Sequence, residues 1–239
     1  MKNLIILYLF FLPGICAHAQ LNNGSVTIDT NIFHCISGKP EKYFSLKSLA
    51  PPVTFISYGI ISLKANSLKS INTELKEEIL ENNPGFRTSA DDYLMFAPAA
   101  GAFLLEAAGV KGKHCFKGKL IIYSTGLVIM YVTVSVLKKI THQLRPDGSK
   151  YNSFPSGHTA DAFMGAEFLS QEYSSLSPWY AVAGYTTAAG TGVLRMYNNK
   201  HWFADVITGA GIGILSAKFS YWIFSKMEKK RNLKPAINY

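Results

Sequence analysis

The sequence predicts an all-α protein, a multi-helix bundle embedded in a membrane. Three observations carry that prediction. Hydrophobic residues make up 48% of the 239 residues and charged residues only 16%, well below the roughly 25% charge of a typical soluble domain. Several uncharged runs approach the ~20 residues that a crossing helix needs, the clearest being residues 120–137. The basic residues gather at the borders of such runs, with Lys111, Lys113, Lys117 and Lys119 in one group and Lys226, Lys229, Lys230 and Arg231 in another. That is the pattern of cytoplasmic loops flanking membrane helices. Mean hydropathy is only +0.11, which points to spans combined with a polar segment.

The elements follow in order. Residues 1–19 read as a secretory signal peptide: Lys2, then an apolar stretch from Leu4 to Ile15, then the small-residue site Ala17-His18-Ala19. Residues 20–92 form an N-terminal segment expected in the periplasm. It contains a short apolar stretch at 50–63, opened by Pro51-Pro52, which is too short for a straight span and either re-enters, lies at the interface or crosses. It also contains an amphipathic helix at 66–82, with Leu68, Ile71, Leu75 and Ile79 on one face and Asn83-Pro84-Gly85 ending it.

Five apolar segments come next. The first, 93–110, carries Pro98 and Glu106, and 120–137 has no charge at all. Residues 158–172 are weaker, with Asp161 and Glu167, while 178–194 are rich in Ala, Gly and Thr, which suits close helix packing. The last, 202–225, holds Lys218, expected to snorkel to the interface. Together 93–226 make the helical core, and 227–239 a basic cytoplasmic tail. Counting crossings back from that tail puts the loops at 195–201 and 145–157 outside and the lysine-rich loop at 111–119 inside. The same count separates Cys35 from Cys115, so these two are not expected to pair.

A net charge of +9 suits nucleic acid, anionic lipid or a phosphate substrate. No nucleic-acid module is recognisable, so no nucleic-acid partner is expected. Nothing resembles a metal-binding motif either, with no H-E-x-x-H and no cysteine pair; neither a metal nor a cofactor is expected.

Three clusters carry chemistry. Lys138 is followed after six residues by Arg145-Pro146; Phe154-Pro155-Ser156-Gly157-His158-Thr159 forms the second; and Arg195, His201 and Asp205 form the third, with five and then three residues between them. Gathering Lys138, Arg145 and Arg195 beside membrane segments is unfavourable unless an anion sits among them, and guanidinium forks match phosphate oxygens. Ser156 and Gly157 stand where a helix begins, and first-turn amides cradle phosphate; Gly157 allows the backbone to come close. His201 and Asp205 are four apart, so on a helix they share a face, and the carboxylate would fix the imidazole for nucleophilic attack. His158 would then serve as the general acid. His142 and Asp147 are read as solvated loop residues or as substrate contacts, and Asp91-Asp92-Tyr93 as lining the mouth of the site or marking the interface. Trp202 suits an interfacial belt or an apolar pocket wall.

The pattern Lys-x6-Arg-Pro, Pro-Ser-Gly-His, Arg-x5-His-x3-Asp resembles the type 2 phosphatidic acid phosphatase (PAP2) superfamily, which includes bacterial class A acid phosphatases and vanadium haloperoxidases. The motifs cover residues 138–205 and the flanking helices extend the likeness to 93–225. The resemblance implies a bundle of the PAP2/acid phosphatase type. It assigns phosphate binding to Lys138, Arg145, Ser156, Gly157 and Arg195, protonation to His158, phosphorylation to His201 and orientation to Asp205. One departure is visible: the third motif commonly begins Ser-Arg, and here Leu194 precedes Arg195, which removes a hydroxyl.

By resemblance, the expected activity is metal-independent hydrolysis of a phosphate on a membrane lipid. It would run through a phosphohistidine at the periplasmic face of a bacterial inner membrane. The envelope phosphatases that the chain looks like suggest a lipid A phosphate, the 4′ position being one candidate, ahead of undecaprenyl diphosphate and phosphatidate. A soluble periplasmic acid phosphatase, a haloperoxidase and a non-enzymatic lipid-binding membrane protein are the alternatives; solubility without detergent and the effect of His201→Ala separate them.

Overall fold

Eight helices and no strand make up the regular structure of residues 45–232, the part of the chain described by this computed structural model; for residues 231 and 232 only the backbone is described. The signal peptide expected at 1–19 and most of the basic tail lie outside the described residues.

Helix α1 (Leu46–Ser62) begins four residues ahead of the apolar run because Ser45 and Ser48 form a capping box, each hydroxyl accepting from the other's amide at 3.1 and 3.2 Å. Its axis turns by 96° into α2 (Asn66–Asn82), so the apolar stretch ends in an elbow and not in a straight crossing. α2 occupies the residues that its periodicity predicted. It buries none of its side chains fully and lies across the end of the bundle that holds the three clusters. There Lys76 Nζ donates to the Pro146 carbonyl at 2.9 Å, and Asn72 Oδ1 accepts from the Ala204 amide at 3.0 Å.

The run at 93–110 is not one helix. It breaks into α3 (Ala90–Leu94) and α4 (Ala97–Ala107), with Pro98 in the first turn of α4. A proline there forgoes no helical bond but cannot extend a preceding helix, so hydropathy stays continuous while the backbone does not. At eleven residues α4 is too short to cross.

Helices α5 (Phe116–Thr141) and α8 (Phe203–Asn232) are long and apolar enough to cross a membrane. Between them stand α6 (Gly157–Tyr173) and α7 (Trp179–Tyr197). α6 is the axis of the bundle. Twelve of its seventeen residues are buried, including Asp161, Glu167 and Glu172, so its apolar side chains face protein. It packs on α8, α7, α4 and α5.

The α6–α8 contact is backbone on backbone. A Cβ on Gly213 would lie 2.2 Å from the Ala160 carbonyl, and one on Gly209 2.5 Å from that of Ser156. This is the small-x-x-x-small spacing of closely packed helices. Gly211 faces the other way and seats α1, where a Cβ would stand 2.6 Å from the Pro52 carbonyl.

Two lysines depart from their expected places. Lys218 does not snorkel: it is buried and bonds Glu167 at 2.7 Å, in a group completed by Gln171 and Tyr185. Lys119 is fully buried, bound to Glu106 and to the Tyr173 hydroxyl at 2.7 Å, so it is no flanking surface cation. Both corrections have one cause. A charged head stays inside when a carboxylate and further donors or acceptors replace its water. Beside Lys119, His114 Nδ1 and the Tyr221 hydroxyl each stand 2.7 Å from Glu172 Oε1. Cys115, at the start of α5, is disulfide-bonded; the reading that it does not pair with Cys35 falls on a residue outside those described.

Candidate active site

Two connections and one helix end build the site. The 142–156 connection leaves α5 at His142, which takes a left-handed conformation (φ 48°) and stacks on Tyr151 at 5.5 Å. His142 therefore shapes the start of this loop. Asp147 bonds Lys200 at 2.7 Å and Ser149 at 2.7 Å, which ties this connection to the turn before α8. Against the burial that would raise it, the Lys200 and Ser149 contacts hold the Asp147 carboxyl down to about 2. Trp202 Nε1 donates to the Leu144 carbonyl at 2.9 Å and makes a second tie. Its ring also carries the Lys76 ammonium at 5.3 Å, so it lies against α2 and the loop.

Ser156 caps α6. Its Oγ accepts from the Thr159 amide at 3.4 Å, and its own amide donates to the Asp205 carbonyl at 3.0 Å. That last bond joins the start of α6 to the first turn of α8. Gly157 and His158 follow as the first helical residues, where amides lack intrahelical partners and the helix dipole is positive.

His201 is not on a helix. It sits in the turn that leads into α8, buried to 3% exposure, and the four-residue spacing still brings Nδ1 to 3.4 Å from Asp205 Oδ2. The same oxygen accepts from the Trp202 amide at 2.9 Å and from the Ser153 hydroxyl. The carboxylate is thus held from two sides, and the long His201 contact is of the kind that tightens when a substrate is bound. Burial, and then the nearby cations Lys138, Arg195 and Arg145, hold His201 well below the ordinary histidine range. It is neutral at physiological pH, the form with a lone pair for attack.

The three cations are brought together around His201. Lys138 Nζ donates to the Asn152 carbonyl at 2.6 Å, and Arg145 Nε to the Asn152 side chain at 2.9 Å. Arg195, in the last turn of α7, is gripped by Asp91 through one terminal nitrogen. Its Nε is buried without a hydrogen-bond partner. A buried, unmatched guanidinium N–H is a donor waiting for an acceptor.

Sequence reasoning missed much of what holds these groups. Asp91 is fully buried and accepts from both Arg195 and Asn198, the latter at 3.0 Å. Asn198 also exchanges two bonds with the Thr88 backbone, at 2.8 and 2.9 Å. Asp92 lies 2.8 Å from His158 Nε2. Asn152 and Ser153, which hold Lys138, Arg145 and Asp205, directly precede the second motif in the chain. Beside Arg195 a cavity of 340 Å³ opens, lined by Arg87, Thr88, Asp92, Asn198 and Lys200 among others. Among the described residues no group of three or more His, Cys, Asp and Glu side chains could hold a metal ion.

The arrangement can bind a phosphoryl group in a cationic cage, present a neutral imidazole to it and supply a second imidazole for the leaving oxygen. Residues 119–229 match the family model described as "PAP2 superfamily". The chain is 34% identical over 227 residues to a lipid A 1-phosphatase of Porphyromonas gingivalis, covering 92% of this chain and 49% of that protein. It is 30% identical over 123 residues to the bacitracin transport permease protein BcrC of Bacillus licheniformis, covering 45% of this chain and 57% of the other. The chain thus spans about half the length of the curated relatives it matches. Among solved structures, LpxE of Aquifex aeolicus is 24% identical with a TM-score of 0.46, over 60% of this chain and 92% of that one. A transmembrane PAP2-type phosphatidylglycerolphosphate phosphatase of Bacillus subtilis is 19% identical with a TM-score of 0.47, over 78% and 98%.

Proposed function

We propose that the chain is a member of the PAP2 superfamily, whose model residues 119–229 match, and that it is a membrane phosphatase that removes a phosphate from a lipid through a phosphohistidine on His201. One observation carries the reading: a buried His201, its Nδ1 facing Asp205, stands among Lys138, Arg145 and Arg195, whose charges with burial favour the neutral imidazole. Nδ1 faces Asp205, so Nε2 is the nucleophile. It attacks phosphorus while the ester P–O bond breaks. His158 gives its proton to the departing lipid oxygen, and the cations carry the charge on the equatorial oxygens. A water then attacks the phosphohistidine and gives its proton to the now neutral His158; the N–P bond breaks, and phosphate leaves with His201 restored.

The favoured substrate is a lipid A phosphate. The Porphyromonas gingivalis relative, named for the 1-position, supports that position over 4′. Undecaprenyl diphosphate and phosphatidate are the competing substrates. Helix α5, long and apolar enough to cross, weighs against a soluble acid phosphatase. The site end would face the periplasm of an inner membrane, because Lys111, Lys113 and Lys117 cluster at the other end. The disulfide at Cys115 stands against that orientation, since disulfides belong to oxidising compartments. Labelling of Lys200→Cys and Lys113→Cys in intact spheroplasts with an impermeant maleimide decides the matter.

The test of activity is phosphate release from lipid A, undecaprenyl diphosphate and phosphatidate in detergent micelles, with His201→Ala as control. Release from one lipid, lost in His201→Ala and unchanged by EDTA, is expected, together with acid-labile labelling of the protein by radioactive substrate. Full turnover by His201→Ala, or loss of turnover with EDTA, refutes the mechanism.

A further inference from the structure

Helix α3 lies ahead of the span matched by the PAP2 model, 119–229, yet it delivers two carboxylates to the site. Their surroundings differ. The Asp91 side chain is 1% exposed and committed to Arg195 and Asn198. The Asp92 side chain is 55% exposed, and its Oδ1 lies 2.8 Å from His158 Nε2 and 3.7 Å from the Arg195 guanidinium. Asp92 is the carboxylate that His158 touches.

The reaction proposed above requires His158 to enter as the imidazolium. Its surroundings oppose that form: burial and the Arg195 guanidinium disfavour a second positive charge, and His201, Lys138 and Arg145 lie across the site. Asp92 at contact distance, with Asp91 behind it, works in the opposite sense.

We propose that Asp92 is a positioning residue for the general acid. Its carboxylate accepts the Nε2 proton of His158, fixes the ring and keeps the imidazolium populated, which leaves the Nδ1 proton for the departing lipid oxygen. The inference rests on the phosphatase reading and adds a residue to it. Asp92 itself touches no substrate atom in this role.

The experiment compares parent, Asp92→Asn and Asp92→Glu on two esters, a short-chain phosphatidate and para-nitrophenyl phosphate. The alkoxide of the first must be protonated as it leaves; the nitrophenolate of the second leaves without help. Loss of the carboxylate lowers the pH at which His158 gives up its proton, so the basic limb of kcat/KM for phosphatidate moves to lower pH. The expected displacement is about one pH unit, with phosphatidate turnover at pH 8 down ~10-fold. Turnover of para-nitrophenyl phosphate stays within about twofold, because proton donation matters little there, and Asp92→Glu restores part of the phosphatidate rate. Equal losses on both esters with an unmoved limb overturn the proposal and leave Asp92 a structural residue. A rise in kcat/KM on both, with lower KM, also overturns it and makes Asp92 a competitor for the phosphate site. His201→Ala separates the two levels: if it turns over both esters, the phosphatase mechanism has failed, whatever Asp92 does. The His158 titration, followed by NMR of histidine-labelled protein, needs no turnover. Its midpoint falls in Asp92→Asn if the proposal holds and stays put if it does not.

Discussion

Replacing Gly209 by alanine tests whether the two halves of the site are held in register by the α6–α8 contact. The added methyl would stand 2.5 Å from the Ser156 carbonyl oxygen, about 0.9 Å inside the 3.4 Å at which ordinary contact begins. Neither partner is a flexible side-chain tip. Ser156 caps α6, and its amide is bonded to the Asp205 carbonyl at 3.0 Å, so relief comes from moving the start of α6 away from α8. That motion separates Ser156, Gly157 and His158 from His201 and Asp205 by nearly an ångström. A misplacement of ~1 Å lowers a rate on the order of 100-fold, and the overpacking destabilises by about 1–3 kcal/mol. Gly211→Ala is the control. It makes a similar clash, 2.6 Å from the Pro52 carbonyl, but against α1 and away from the chemistry. Phosphate release by both variants in micelles, beside their thermal midpoints, is the assay. Comparable losses of stability are expected, with kcat lost in Gly209→Ala only. A Gly209→Ala enzyme with kcat within about threefold of the parent refutes the argument that this contact sets the catalytic register.

Lys138→Met removes a cation that disfavours protonated His201, so the acidic limb of the rate profile moves to higher pH, measured as kcat/KM against pH. The unfolded chain protonates His201 near the usual ~6.5 and the folded chain only at lower pH. Stability therefore declines on acidification from that point down to the folded-state pKa, and denaturant midpoints at successive pH values test the sign. Arg195→Lys keeps the charge but loses the fork and the buried Nε, and kcat should fall on the order of 100-fold in the phosphate-release assay. Lys218→Met strands Glu167 and should destabilise by about 3–5 kcal/mol. Adding Glu167→Gln should recover most of that loss, read from thermal midpoints in detergent.

The grouping of the candidate site residues is legible because it is written in short spacings. Ser156, Gly157 and His158 are consecutive, and His201 and Asp205 are four apart, so the chain delivers them together whatever surrounds them. The amphipathic α2 was equally plain from its period. What the sequence concealed was mostly pairing at a distance. Lys218 reads as a surface cation because Glu167, which holds it inside, lies 51 residues away, and Lys119 because its partners Glu106 and Tyr173 lie 13 and 54 residues away. Asp91 and Asp92 meet Arg195 and His158 across 104 and 66 residues. The break between α3 and α4 was hidden for a different reason: hydropathy does not register that Pro98 lacks an N–H. Nor does it distinguish α6, largely buried by protein, from a helix facing lipid.

Thr88, Asp91 and Asp92 all precede residue 119, where the superfamily match begins. A chimera that carried only 119–229 on another membrane scaffold would inherit every cation and both histidines. Its Arg195 would have no buried counter-charge, and its Asn198 amide no backbone mate. The signature is therefore not a self-contained cassette. The charge balance of the site is completed by a stretch of chain that bears no signature, and exchanges between relatives should be cut ahead of Arg87 and not at the family boundary.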